Sequence, residues 1–106
     1  MPGSGRTVES DMPAYLIAHV DITDPHGYEE YRLKVPAVVA AFGGRYLVRG
    51  GPHSRLEGDG TLARVAVIEF PTLAQLQAWY GSAEYRPLIT LRQRCARSTL
   101  YAFEGL

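Results

Sequence analysis

The chain reads as one α+β domain of the ferredoxin-like type, a βαββαβ unit with a four-stranded antiparallel sheet. Three observations predict this. Its 106 residues suit one domain rather than two. Stretches of two-residue alternation take turns with stretches of helical spacing, in two strand–helix–strand halves. No run of proline, glycine or serine separates those halves as a linker would.

Residues 1–12 are small and polar, lack a period and read as a flexible lead-in, which leaves 13–106 as the domain. Ala14–Ile22 alternates as a strand. Leu16, Ala18, Val20 and Ile22 make an apolar face that should meet the helices, while Tyr15, Ile17, His19 and Asp21 point the other way. Asp24 is an N-cap and Pro25 suits a first helical turn. Tyr28, Tyr31, Val35, either Val38 or Val39, and Phe42 then recur at helical spacing. Pro36 has no amide hydrogen for the carbonyl of Arg32, so a kink or break is expected there. Gly43 and Gly44 end the helix.

Arg45–Arg49 is the second strand, with Arg45, Leu47 and Arg49 opposite Tyr46 and Val48. Gly50–Leu62 is a long loop. Arg64–Phe70 is the third strand, its Val65, Val67 and Glu69 opposite Arg64, Ala66, Ile68 and Phe70. Thr72 and Gln75 form a capping box for a helix carrying Leu73, Leu76, Trp79 and Tyr80. Gly81 and Ser82 break it, a second helical stretch runs from about Glu84 towards Arg94, and Thr99–Phe103 closes the sheet. The helices cover one sheet face. The other bears Tyr15, Ile17, Val65 and Val67 and is expected to meet a second copy of the chain.

Composition excludes several functions. Eleven basic and 11 acidic residues balance, which argues against neutralising a nucleic-acid backbone. Arg92, Arg94 and Arg97 read as a solvated helix face. Cys95 is the sole cysteine, so there is no intrachain disulfide, and a small buried hydrophobe is its expected role. Neither a signal peptide nor a membrane-length apolar run is present, and a cytoplasmic protein without membrane partners is expected. His19, His26 and His53 lack metal-ligand spacing, so neither metal nor cofactor is expected.

Tyr28-Glu29-Glu30-Tyr31, then Gly43-Gly44-Arg45-Tyr46-Leu47-Val48-Arg49-Gly50-Gly51, begin a series of marks. Leu56-Glu57-Gly58, Glu69-Phe70-Pro71, Trp79-Tyr80-Gly81-Ser82, Glu84-Tyr85, Arg92 and Glu104-Gly105 continue it. In this order and spacing they resemble the DUF1330 family, small proteins assigned to the dimeric α/β-barrel superfamily. The resemblance covers Tyr15 to Gly105. It implies a ferredoxin-like protomer and a homodimer whose sheets pack face to face, forming a dimeric α/β barrel. It implies no single reaction, because the superfamily includes cofactor-free monooxygenases, lactone isomerases, haem proteins and stress-response proteins.

Two groups of residues carry candidate chemistry. His19 and Glu69 share the uncovered strand faces, and a histidine beside a carboxylate can exchange protons near neutral pH. His53, in the loop after Gly50-Gly51, is a second candidate base. Arg49 suits bidentate binding of a carboxylate, although Glu57 is an equally good ion-pair partner for it. Trp79, Tyr80 and Tyr85, with Tyr28 and Tyr31, can form an aromatic wall for a flat ligand or simply a core. The leading expectation is a homodimeric domain binding a small, partly apolar organic molecule, either neutral or anionic. The alternatives are a cofactor-free enzyme of monooxygenase or isomerase type, using a histidine base and an arginine, and a non-catalytic structural or interaction protein.

Overall fold

The computed structural model describes residues 12–106. The lead-in assigned to 1–12 therefore lies, apart from Met12, outside the described residues. The elements follow as β1 (Ala14–Ile22), α1 (Pro25–Ala41), β2 (Arg45–Arg49), β3 (Arg64–Phe70), α2 (Leu73–Tyr80), α3 (Arg86–Cys95) and β4 (Ala96–Glu104).

The four strands form one antiparallel sheet in the order β2-β3-β1-β4. This is the expected ferredoxin-like protomer, with the second helical segment divided into α2 and α3. The expected dimeric α/β barrel is overturned, both as fold and as the frame attached to the family resemblance. β2 and β4 are free edges separated by β3 and β1, so the sheet is open. Barrel closure requires its two edge strands to pair.

β1 is central and its alternation holds: Ala14, Leu16, Ala18 and Val20 are buried, and Ile17 and His19 are exposed. The helices cover the buried face and form a core with Val35 and Val39 of α1, Leu76 and Trp79 of α2, and Leu88 and Cys95 of α3. Burying such side chains contributes about 1.5–3 kcal/mol each. Asp24 caps α1 by accepting from the Gly27 amide at 3.1 Å. Gly43 follows α1 with φ +83°, a conformation disfavoured for residues with a Cβ. Thr72 Oγ1 accepts from the Gln75 amide at 3.1 Å, completing half of the capping box. The Gln75 side chain donates to the Phe42 carbonyl at 2.9 Å and so ties α2 to the end of α1.

Two local departures from regular geometry shape the site. α1 is continuous through Pro36, so of the expected kink or break there is no break. Pro36 leaves the Arg32 carbonyl without its helical donor, and the Arg49 guanidinium donates to that carbonyl instead. The second departure is in β2. Tyr46 pairs with Ile68, but Val48 pairs with Val67 and Arg49 with Ala66, so an irregularity falls between Tyr46 and Val48. A bulge inserts one residue and reverses the alternation beyond it. Arg49 therefore shares the helix-covered face with Tyr46 rather than opposing it.

Candidate functional site

Between the sheet and α1 lies a cavity whose walls are mostly core side chains: Leu16, Ala18 and Ile68 from the strands, Val35 from α1 and Trp79 from α2. Its enclosed room is about 30 Å³, on the scale of one or two water molecules, and the empty space with the open solvent at its mouth counted is about 450 Å³. Tyr28, Tyr31, Tyr46 and Tyr85 and the arginines Arg32, Arg49, Arg64 and Arg92 also line it. No histidine, aspartate or glutamate contributes to it.

The inner end is built from the break between α2 and α3. Ser82 Oγ donates to the Trp79 carbonyl at 2.8 Å and accepts from the Tyr85 amide at 3.1 Å, folding the chain back on itself. Tyr85 consequently stacks on Trp79, with centroids 4.2 Å apart and 26° between planes. The Tyr85 and Tyr31 hydroxyls lie 2.6 Å apart, and Arg92 Nη1 donates to Tyr85 at 2.9 Å. The Arg92 guanidinium also lies 5.9 Å from the centre of the Tyr31 ring.

Arg92 is only 4% exposed, and no ion pair among the described residues includes it. Its Nε–H is buried without an acceptor, as is Nε1–H of Trp79. A buried charge with neither counterion nor full hydrogen bonding is expensive. Burial opposes the Arg92 charge, but the oxygens of Tyr85 and Tyr31 outweigh it and hold its pKa above the ordinary value. Burial likewise pushes Tyr46 up to about 12 and raises Tyr85 further, with Tyr31 adding to the shift and Arg92 opposing it. Burial also raises Tyr28, against the nearby Arg64 guanidinium. Tyr28, Tyr46 and Tyr85 are therefore neutral hydroxyls at physiological pH around a permanent cation.

At the mouth, Arg49 lies 4.9 Å over the Tyr46 ring while donating to the Arg32 carbonyl. Arg32 is paired with Glu29. Arg64 occupies the space beside Gly50, whose φ is +67° and where a Cβ would come within 2.5 Å of Arg64 Nη1. The glycine thus gives room to a protein guanidinium.

Of the residues singled out from sequence, Tyr28, Tyr31, Arg49, Trp79 and Tyr85 converge on this cavity. Tyr80 packs edge-on against Trp79 and Tyr85 from outside and is 42% exposed. His19 lies on the opposite sheet face, where Nε2 accepts from the Ala63 amide at 3.3 Å. Glu69 shares that face but accepts from Arg45 at 2.7 Å and Tyr15 at 3.2 Å. Register puts His19 opposite Val65 and Glu69 opposite Tyr15, about 13 Å apart along the strands, so one subunit does not join them. His53 is exposed in the loop, 3.4 Å from the Gly51 carbonyl. Glu57 forms no ion pair with Arg49.

Arg92 itself was assigned to a solvated face, and the structure corrects this. Leu88, Arg92 and Cys95 are the buried residues of α3, and their spacing of four and three is the signal for one inward stripe. Arg94 and Arg97 are exposed.

The model of a family described as a domain of unknown function, DUF1330, matches residues 13–106. Nothing among curated proteins matches. A protein of unknown function from Rhodopseudomonas palustris is similar in structure, with TM-score 0.73 at 21% identity over 98% of this chain and 90% of that one. So is SnoaB, a cofactor-independent oxygenase from Streptomyces nogalater, with TM-score 0.58 at 12% identity over 91% and 94%. A Caulobacter crescentus protein named as a candidate antibiotic biosynthesis monooxygenase gives TM-score 0.63 at 12% identity over 96% and 97%. Identities this low establish a shared fold. No helix among the described residues is long and apolar enough to cross a membrane, and no cluster of metal-ligating side chains occurs among them.

Proposed function

Because this chain belongs to the DUF1330 family through residues 13–106, a membership that fixes no reaction, we propose a function from the cavity itself. The cavity receives a small, flat organic anion, an enolate or phenolate, and the chain acts on it as a cofactor-free enzyme of the oxygenase type. The observation that carries this reading is Arg92, a buried guanidinium with an unpaired Nε–H in an aromatic cavity without a carboxylate. A preorganised cation in a water-poor site stabilises negative charge far better than one in water. Trp79 and Tyr85 offer flat surface to the carbon skeleton.

Cofactor-free oxygenation needs an electron-rich anion, because ground-state dioxygen accepts electrons one at a time. No ordinary base lines the cavity, and Tyr28, Tyr46 and Tyr85 hold their protons. The site therefore suits molecules acidic enough to release their proton to solvent on binding, once Arg92 lowers their pKa. The shared fold of SnoaB and the Caulobacter protein supports the oxygenase choice by analogy only. Oxygen uptake with a panel of polyhydroxylated aromatic compounds tests it. The wild type should consume oxygen with at least one member and Arg92→Met should not. Equal rates in both proteins would remove Arg92 from the chemistry.

A homodimer is part of the same reading. Ile17, Val48, Tyr101 and Phe103, all on the sheet face away from the helices, are 38%, 44%, 59% and 51% exposed. A second copy seated there would withdraw that patch from water. The lone buried thiol of Cys95 fits a reducing, cytoplasmic setting.

A further inference from the structure

The cavity's charge is not confined to its inner end. Four arginines line it, with no aspartate or glutamate among the lining residues, in a chain whose formal net charge is zero. Arg32 is neutralised by Glu29, whereas no ion pair among the described residues involves Arg49, Arg64 or Arg92. Exposure is graded: Arg92 is buried, Arg64 half-buried and Arg49 exposed. The first therefore marks the depth and the other two the mouth.

Each mouth arginine is held in place by a specific device. The bulge in β2 turns Arg49 to the cavity side, and Pro36 frees the Arg32 carbonyl that tethers it. Gly50, lacking a side chain, leaves the room Arg64 fills. The two ends are built on different elements and held by different neighbours. Arg49 stands on the edge strand β2 and donates to the Arg32 carbonyl, while Arg92 stands on α3 and donates to the Tyr85 hydroxyl.

The geometry points to a ligand with two anionic groups on a flat apolar core, one seated on Arg92 and the second held at the mouth by Arg49 and Arg64. This rests on the anion-site reading above and specifies its substrate class as an aromatic or enolic dianion.

Isothermal titration with benzoate, isophthalate and terephthalate tests it. At least one dicarboxylate should bind the wild type about tenfold or more tightly than benzoate, the gain expected from one further charge-assisted pair. In the Arg49→Met/Arg64→Met double variant the ratio of dicarboxylate to benzoate affinity should fall from about ten to about one. Arg49→Lys and Arg64→Lys, which keep stem and charge, should retain part of the advantage, and they serve if the methionine variant does not fold. Equal affinity of mono- and dicarboxylates, or an advantage that survives in the double variant, overturns the two-anion assignment and leaves the Arg92 site standing. Absence of binding by all three probes overturns the anion site and this inference together.

Discussion

Replacing Arg92 with methionine should leave stability within about 2 kcal/mol of the wild type while abolishing the proposed activity. The arginine is 4% exposed, has no carboxylate partner and leaves its Nε–H without an acceptor. Desolvating such a charge costs several kcal/mol even after relaxation. Against that stand one charge-assisted hydrogen bond to Tyr85, worth about 1.5–3 kcal/mol, and a cation–π contact with Tyr31, worth about 0.5–2 kcal/mol. Methionine has nearly the same reach and no desolvation penalty. The Tyr85 hydroxyl also keeps a partner after the change, since Tyr31 lies 2.6 Å away. The opposing contributions nearly cancel, so a change of no more than about 2 kcal/mol in either direction follows, which in a domain of this size moves Tm by no more than about 16 °C. Urea titration and calorimetry measure it, alongside oxygen uptake. A loss of more than about 2 kcal/mol would show that Arg92 is a structural tie whose favourable contacts outweigh its burial, and the functional argument would lose its support.

Other consequences follow from the same contacts. Pro36→Ala restores an amide donor to the Arg32 carbonyl. It should stabilise α1 by up to about 3 kcal/mol while weakening dicarboxylate binding through the displaced Arg49, as titration calorimetry will read. Gly50→Ala forces a side chain into φ +67° against Arg64. It should lose about 1–2 kcal/mol in urea unfolding together with part of the dicarboxylate affinity. Tyr46 has a folded pKa raised to about 12, above an unfolded value near 10. Its contribution is thus complete below about pH 10 and is lost as pH rises towards 12. Spectrophotometric titration should accordingly show tyrosines that ionise only with unfolding, whereas complete ionisation in the folded state near pH 10 would contradict their burial. Sedimentation equilibrium at micromolar concentration should give a dimer, and Ile17→Asp should yield monomer. A wild-type monomer removes the proposed assembly.

Much of the fold could be read from sequence because strand and helix periods are local properties. The apolar face of β1 and the caps at Asp24 and Thr72 depend on neighbours within a few residues, and they stand as expected. The site was harder because its decisive features are exchanges between distant segments. Alternation alone puts Arg49 opposite Tyr46, and the bulge that turns it round exists only in the register with β3. Pro36 is visible as a helix breaker, but its carbonyl partner is satisfied from a different strand, so the helix continues. Arg92 was hidden by composition, since three arginines close together look solvated until Leu88 and Cys95 are counted as one stripe with it. His19 and Glu69 share a strand face in the sequence pattern, yet the antiparallel register separates them.

The central claim is that the unpaired Nε–H of Arg92 is the anion-binding group of the cavity. Its proton resonance, assigned in labelled protein by comparison with Arg92→Met, reports on that atom directly. On titration with benzoate it should move downfield and saturate at one ligand per chain, as a new charge-assisted hydrogen bond forms. A ligand that saturates the protein while the Arg92 Nε–H signal stays in place would contradict the account.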